Sequence, residues 1–67
     1  MAVARVTEIS STSTKSFEEA IKAGINRATK TLKNVKGAWI KGFKVEIENG
    51  KVRIYRVDMK VTFVLED

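Results

Sequence analysis

The spacing of apolar side chains divides the chain into one helix and three strands. Residues 2–9 mix β-branched and polar side chains, which predicts a first strand, and the Ser/Thr run of residues 10–15 predicts a loop. Ser16 is a helix-capping residue type with Glu19 three positions later, the spacing of a capping box, so a helix is predicted over residues 17–34. Its apolar face recurs every three or four positions, at Phe17, Ile21, Ile25, Ala28, Leu32 and Val35.

The rest of the chain has the pattern of a long β-hairpin. Residues 38–48 predict a second strand, in which Gly42 indicates a bulge or a sharp bend. Asn49 and Gly50 predict a two-residue type I′ turn, because both residue types tolerate a positive φ. Residues 51–66 predict a third strand. Its apolar side chains alternate with polar ones, so one face packs on a core and the other is polar.

This order of elements predicts an α+β fold that forms a single domain over residues 1–67. A tight turn makes the second and third strands antiparallel, and the helix returns the chain so that the first strand also pairs antiparallel with the third. The predicted sheet therefore has three antiparallel strands with the third in the centre, and one long helix packs on one face. The other face is not covered by this chain.

Chain length and residue types limit both stability and chemistry. A chain of 67 residues buries only about 60% of the surface that its unfolded form exposes, so a lone core is marginal. The sequence has no Cys and no His, which excludes disulfides, thiolate and imidazole metal sites and the commonest general base. We expect self-assembly to supply the missing stability, and we expect no enzymatic activity.

Hydropathy and charge indicate a location and a class of partner. No apolar segment approaches the roughly 18 residues of a membrane helix, and no secretory signal is recognisable, so a cytoplasmic protein without a membrane partner is expected. The 13 Lys and Arg outweigh the 8 Asp and Glu, and the net charge of +5 favours anionic ligands. Residues 20–45 contain no acid, and a solvated helix face that complements the helix dipole is the favoured interpretation. Their cations are Lys22, Arg27, Lys30, Lys33, Lys36, Lys41 and Lys44.

The element order and several short motifs resemble the dodecin family along essentially the whole chain. Their joint spacing carries the resemblance, since no single motif is decisive. The motifs are Thr12-Ser13, Ser-Phe-Glu-Glu-Ala at 16–20, Arg27-Ala28, Asn34-Val35, Glu-Asn-Gly-Lys at 48–51, Tyr-Arg-Val at 55–57 and Val-Thr-Phe at 61–63.

The resemblance implies a hollow, roughly spherical homododecamer in which the uncovered sheet face lines the interior. In the flavin-binding members of the family, pairs of ligands sit at two-fold contacts between subunits. A Trp just after the helix stacks on the isoalloxazine ring, and a Gln on the third strand hydrogen-bonds its polar edge. Such proteins store riboflavin or FMN and act as photoprotective buffers, not as enzymes.

This sequence departs from the family at both ligand positions. Alignment of the helix ends puts Gly37 where the stacking Trp belongs, and Arg56 takes the place of the Gln. The only Trp is Trp39, two residues further along and on the same strand parity as Gly37. These departures resemble the branch of the family that does not depend on flavin, for which calcium association has been suggested. The carboxylates of this sequence show no spacing typical of a calcium loop.

The candidate ligand-binding residues are Trp39, Arg56 and Gly37. Trp39 is either a shifted stacking platform or, as the favoured interpretation, an apolar side chain that fills the helix–strand interface or a subunit contact. Arg56 either binds an anion of the ligand or forms an ion pair between subunits. The carboxylates considered for an ion pair are Asp58, Glu46 and Glu48. They belong either to a neighbouring subunit or to the same chain, where Asp58 shares the strand face of Arg56 and the two glutamates lie on its hairpin partner.

Two functional classes follow from these observations. The first is a dodecamer that sequesters a small molecule, with flavin in doubt and calcium or an anionic ligand as alternatives. The second is a basic module that binds nucleic acid or an acidic surface, for which Trp39, Phe43 and Tyr55 offer stacking surfaces. Nucleic acid is the less favoured partner, because the aromatic and glycine motif of RNA-binding sheets is absent.

Overall fold

A three-stranded antiparallel sheet carries one helix on one of its faces. The computed structural model describes residues 3–65, in the order β1 (Ala4–Ser13), α1 (Phe17–Thr31), β2 (Val35–Glu48) and β3 (Lys51–Val64). The strands lie in the order β1-β3-β2, and both neighbours of β3 are antiparallel to it. The predicted α+β fold, with the third strand in the centre of the sheet, is confirmed.

Helix α1 begins where the capping pattern predicts and ends earlier than its apolar pattern predicts. The Glu19 backbone N–H donates to Ser16 Oγ at 3.0 Å, which satisfies one of the unpaired donors of the first turn. The predicted end at residue 34 is wrong, because Leu32 already has extended backbone angles and Asn34 has a left-handed φ of 60°. The chain needs this turn because Val35 already pairs with β3.

Strand β1 is longer than predicted and includes most of the Ser/Thr run. Residues 10–13, predicted as a loop, pair with β3 as far as Ser13 opposite Tyr55. The prediction is wrong because the backbone of this run hydrogen-bonds to β3, and because hydroxyl side chains suit an edge strand with one uncovered face. Ser11 also contributes a tertiary hydrogen bond, since its Oγ donates to the Ala20 carbonyl at 2.7 Å. Residue 2, where the strand was predicted to begin, lies outside the described residues.

The hairpin forms as predicted, with differences at its outer ends. Asn49 and Gly50 have φ values of 54° and 75°, which are the positive angles of a type I′ turn. Strand β2 begins at Val35 rather than at residue 38, and β3 ends at Val64. The bulge predicted at Gly42 is confirmed, since the register shifts by one residue between Ile40 and Gly42.

The core is the contact between the centre of β3 and a stripe of small residues on α1. The side chains of Val57, Met59 and Val61 on β3 are fully buried. Ala20, Gly24 and Ala28, spaced four residues apart on α1, are its buried positions. Of the apolar face predicted for the helix, only Ala28 is fully buried, and the other members lie partly buried around this contact. Small side chains at the centre let the helix approach the sheet closely.

The hairpin extends beyond the helix and leaves apolar side chains uncovered. Fourteen-residue strands are about 46 Å long, whereas a fifteen-residue helix is about 22 Å long. The molecule accordingly measures 51 × 19 × 13 Å. Phe43 is 59% exposed and Ile47 is 66% exposed, and both lie on β2, which α1 barely touches. A single chain therefore leaves the apolar side chains of this part of the hairpin exposed. Within residues 3–65 no helix is long and apolar enough to cross a membrane.

Substitution of Gly24 by Leu is expected to lower the free energy of unfolding by about 1–3 kcal/mol, the usual cost of overpacking. A Cβ atom at Gly24 would lie 3.0 Å from Met59 Cε and 3.0 Å from Ser11 Cβ, so a larger side chain must push the helix away from the sheet. Urea unfolding followed by circular dichroism measures the loss. The matched control is Asn26→Leu on the exposed side of α1, which should be nearly neutral. A Gly24→Leu protein as stable as the parent would contradict this packing.

Candidate functional site

The sheet face opposite α1, here called the open face, is built from rows of side chains across the strands. Val57, Met59 and Val61 point at the helix, so the alternate residues of β3 point the other way. Each of those alternate residues has a cross-strand partner on both sides. The rows are Val6–Thr62–Gly37, Glu8–Lys60–Trp39, Ser10–Asp58–Gly42 and Thr12–Arg56–Lys44. The open face is therefore mostly polar and charged, as predicted.

The bulge in β2 decides which β2 residues reach the open face. Trp39 opposes Lys60 on one side of the bulge, and Lys44 opposes Arg56 on the other. Trp39 and Lys44 therefore lie on the same face although one position is odd and the other even. The extra residue in the bulge, Lys41, shifts the alternation of side chains by one. Gly37 and Trp39 lie on the same face, as their common parity predicts.

Trp39 is an exposed aromatic platform flanked by two cations. Its side chain is 63% exposed and lies on the open face. Lys41 Nζ lies 4.0 Å from the centroid of the indole ring, and Lys60 Nζ lies 5.9 Å from it, both within range of a cation–π interaction. The expectation that Trp39 fills the helix–strand interface is wrong, because the side chain lies on the face opposite α1.

Bare backbone lies on both sides of Trp39 along β2. A Cβ atom added to Gly37 or to Gly42 would meet no other atom within 4 Å. Near Gly42 the open face has a shallow depression of about 430 Å³, with Lys41, Ser10, Asp58 and Glu8 among its lining residues. The surroundings of Trp39 thus combine an aromatic ring, open space and charges of both signs.

Arg56 lies on the open face and is tied to a carboxylate of its own chain. Its Nη2 donates to Glu46 Oε2 at 2.7 Å and its Nε donates to the same oxygen at 3.3 Å. Its Nη1 donates to Ser10 Oγ at 3.3 Å, so the guanidinium bridges all three strands. About a third of the Arg56 side chain remains exposed. Glu46 was predicted as a candidate partner either on the adjacent strand of the hairpin or in another subunit, and here it belongs to the same chain.

Two further ion pairs form on the sheet. Lys60 Nζ lies 3.6 Å from Glu8 Oε1, and Arg53 Nε lies 3.2 Å from Glu48 Oε2. Asp58 forms no ion pair with any residue in the described range. Among residues 3–65 no three carboxylates cluster closely enough to hold a metal ion.

Sequence analysis missed Lys41, Lys60 and Ser10 as parts of this surface. The signal for Lys41 was present, because a bulge next to Gly42 places an extra residue beside Trp39. The position of Lys60 beside Trp39 follows from the pairing of β2 with β3, and the register of that pairing depends on the same bulge. Ser10 was missed because its segment was predicted as a loop.

Comparison with protein families and solved structures gives a consistent result. The family model Dodecin matches residues 3–66. Dodecin from Streptomyces davaonensis is 35% identical, with a TM-score of 0.94 over 98% of this chain and 97% of that chain. An arginine-to-alanine variant of T. thermophilus dodecin is 33% identical, with a TM-score of 0.95 over the full length of both chains.

A third solved structure is a calcium-binding protein of the same fold. It is the calcium-chelating immunodominant antigen calcium dodecin from Mycobacterium tuberculosis, which is 26% identical, with a TM-score of 0.83 over 96% of this chain and 91% of that chain. No protein in the curated set matches this sequence significantly. The family match over almost the whole chain agrees with the β-α-β-β order, the central third strand and the uncovered sheet face, and the chain belongs to the dodecin family.

Proposed function

We propose that this protein is a ligand-sequestering shell, a closed homo-oligomer and most simply a dodecamer, whose open face lines the interior. The proposal assigns it a binding role without enzymatic activity. The observation that carries it is the one-sided core, because α1 covers only part of one face of a sheet about twice its length. The exposed apolar side chains of the hairpin support contacts between copies. They are Phe43, Val45, Ile47 and Val52.

The proposed ligand surface is Trp39 with Lys41 and Lys60. An exposed indole ring favours a planar molecule, and the ammonium group of Lys41, which forms no ion pair among the described residues, favours one that carries negative charge. In a closed shell with the open face inward, copies of this surface would be screened from bulk solvent. Calcium is the less favoured ligand, because the described carboxylates are dispersed and three of them are in ion pairs on the sheet.

The family's stacked pair of flavins is not expected to bind well in this protein. Gly37 offers no ring at the position of the stacking Trp, and loss of one aromatic stack forfeits about 1–3 kcal/mol by analogy with base stacking. Arg56, at the position of the Gln, already donates to Glu46 and to Ser10. Its donors are thus directed at protein oxygens, which weakens recognition of the polar edge of a flavin.

The purified protein is expected to be a single closed assembly. Light scattering after size exclusion should give a mass near twelve times that of the 7.5 kDa chain at micromolar concentration, because association buries the apolar overhang of the hairpin. Ile47→Glu should weaken the assembly by placing a charge on that overhang. The control Lys51→Glu, at the same end of the hairpin but at a charged position, should leave the mass unchanged. A monomeric parent protein would contradict the proposal.

Riboflavin is expected to bind the parent protein weakly. A redesigned variant should bind it at least about tenfold more tightly, which corresponds to about 1.4 kcal/mol of binding free energy. The variant is Gly37→Trp with Arg56→Gln, which restores the stacking ring and the amide of the family. Gly37 has room for a side chain and no left-handed φ, so the Trp should be accommodated. Quenching of riboflavin fluorescence measures both affinities.

The matched control for this titration is Ala38→Trp with Arg56→Gln, because Ala38 opposes the buried Val61 on the helix side of the sheet. This control should show no gain. Submicromolar binding of riboflavin by the parent protein, abolished by Trp39→Ala, would contradict the expectation and assign the stacking role to Trp39.

Arg56→Ala is expected to destabilise the assembly more than Arg53→Ala does. Both arginines pair with a glutamate of the hairpin, but the Arg56–Glu46 pair is less exposed and has the shorter contact, 2.7 Å against 3.2 Å. Surface pairs contribute about 0.2–1 kcal/mol, and enclosure within a shell increases the cost of leaving Glu46 unpaired. Thermal melting and oligomer mass at low and high salt measure both effects. If Arg56→Ala changed neither the melting temperature nor the oligomer mass at low and at high salt, Arg56 would be only a solvated charge.

A further inference from the structure

Five cations lie together at one end of the molecule. Arg27 and Lys30 are one turn apart near the end of α1, Lys33 follows the helix, and Lys36 is the extra residue of the first bulge of β2. Each of these four is three positions from the next along the chain, so they stay close. The fifth is Arg5 of β1. We call these five residues the basic end.

Arg5 joins the basic end through the sheet register. It lies opposite Phe63 of β3, and Phe63 lies opposite Val35 of β2. This row is at the same end of the sheet as the C-terminus of α1. Thr7, two residues from Arg5, lines a groove between β1 and α1 together with Arg27. Cations from β1, α1 and β2 thus lie at the same end of the molecule.

The basic end has no compensating carboxylate within the part of the chain that the structure describes. The ion pairs of residues 3–65 involve Lys22, Arg53, Arg56 and Lys60, and none of them involves a member of the basic end. All five members are exposed. Glu66 and Asp67 lie outside the described residues. Like charges held close together repel, and a bound polyanion relieves that repulsion.

The helix dipole explains only part of this arrangement. A cation in the last turn of α1, such as Lys30, stabilises the partial negative charge at the helix C-terminus. Arg5 and Lys36 are on strands, and Arg27 is more than one turn from the helix end, where the dipole effect is small. A ligand role for the cluster therefore adds to its structural role.

The chemistry of the basic end fits phosphate groups rather than bases. The exposed aromatic side chains among residues 3–65 lie elsewhere: Trp39 is on the open face, and Phe43 packs against Phe17 at the start of α1. Without a stacking surface, recognition depends on charge, which carries no sequence information. The missing RNA-binding motif on the sheet concerns base recognition and does not bear on this end.

We propose that the basic end binds the phosphate backbone of double-stranded DNA without sequence preference. A duplex carries one charge per about 1.7 Å of its axis, which suits a compact group of five cations. In an assembly of identical chains several basic ends act together, and linked weak contacts raise the overall affinity. This function is separate from ligand sequestration and uses a different surface.

Fluorescence anisotropy with two labelled 20-base-pair duplexes of unrelated sequence tests the proposal. Both duplexes should bind equally well at 50 mM salt. For about four phosphate contacts, the affinity should fall roughly 10²-fold between 50 and 200 mM salt. Because the two sequences are unrelated, equal affinity for both duplexes indicates contact with the backbone rather than recognition of bases.

Two variants with equal charge changes separate the basic end from overall charge. Arg27→Gln/Lys30→Gln/Lys33→Gln should lose at least about tenfold in affinity and reduce the salt slope by about 2–3. The control Lys15→Gln/Lys44→Gln/Lys51→Gln removes three exposed cations that are also outside the described ion pairs. It should keep the parental salt slope. A second variant, Lys33→Gln/Lys36→Gln, leaves α1 unchanged and covers the case in which the triple variant folds poorly. It should also lower the affinity for the duplex and reduce the salt slope.

Several outcomes would overturn the proposal. One is the absence of duplex binding at 50 mM salt, and another is an equal loss in the triple variant and its control, which would reflect net charge alone. A third is tighter binding to phosphatidylglycerol vesicles than to the duplex, lost in the same triple variant, which would assign the basic end to lipid headgroups. The oligomer mass of each variant is measured alongside, so failure of the assembly is distinguishable from failure of DNA binding.

Discussion

The close approach of α1 to the centre of β3 is the contact on which the other features of this fold depend. A Cβ atom at Gly24 would lie only 3.0 Å from Met59 Cε and from Ser11 Cβ, closer than an ordinary van der Waals contact, and the alanines one turn to either side are buried with it. Three fully buried side chains of β3 meet this stripe of small residues. Because the helix residues at the centre are small, the larger side chains of β3 can pack closely against the helix backbone.

A core of this kind has two consequences for the surface. It occupies one face of the sheet and only part of its length, so the hairpin projects beyond α1 with apolar side chains exposed. The core also takes up the apolar side chains at alternate positions of β3, so the polar side chains between them point to the open face. The bulge at Lys41 then adds Trp39 to that face, between Gly37 and Gly42. The proposed assembly and the proposed ligand surface thus have the same structural origin, whereas the basic end depends on where α1 stops.

The sequence predicts those features that local chemistry determines. The Ser16 cap, the Asn49-Gly50 turn, the bulge at Gly42 and the alternation of β3 each depend on a few neighbouring residues, and all are confirmed. The extent of β1 was mispredicted because pairing with a distant strand overrides the loop preference of a Ser/Thr run. The face of Trp39 depends on both the register and the bulge. Packing preferences of aromatic residues therefore could not exclude the helix–strand interface, whereas a subunit contact stays a prediction.

The resemblance to dodecins supplied the expected ligand positions, and the structure shows what one of them, Arg56, contacts here. Arg56 does not extend freely from the open face, because Glu46 and Ser10 hold its guanidinium across three strands. Glu46 was one of three candidate carboxylates, within the hairpin or in a neighbouring subunit, and Ser10 was placed in a loop. Side-chain partners across a sheet require the register, which short motifs do not specify.

The central claim is that this one-sided core is completed by other copies of the chain. Urea unfolding at 1 and 100 μM protein, followed by circular dichroism and by light scattering, tests it most directly. If association supplies the missing burial, the midpoint rises with protein concentration, and secondary structure and assembly are lost in one transition, because assembly binds only the folded chain. A concentration-independent midpoint, with a folded monomer that persists after the assembly dissociates, would contradict the account.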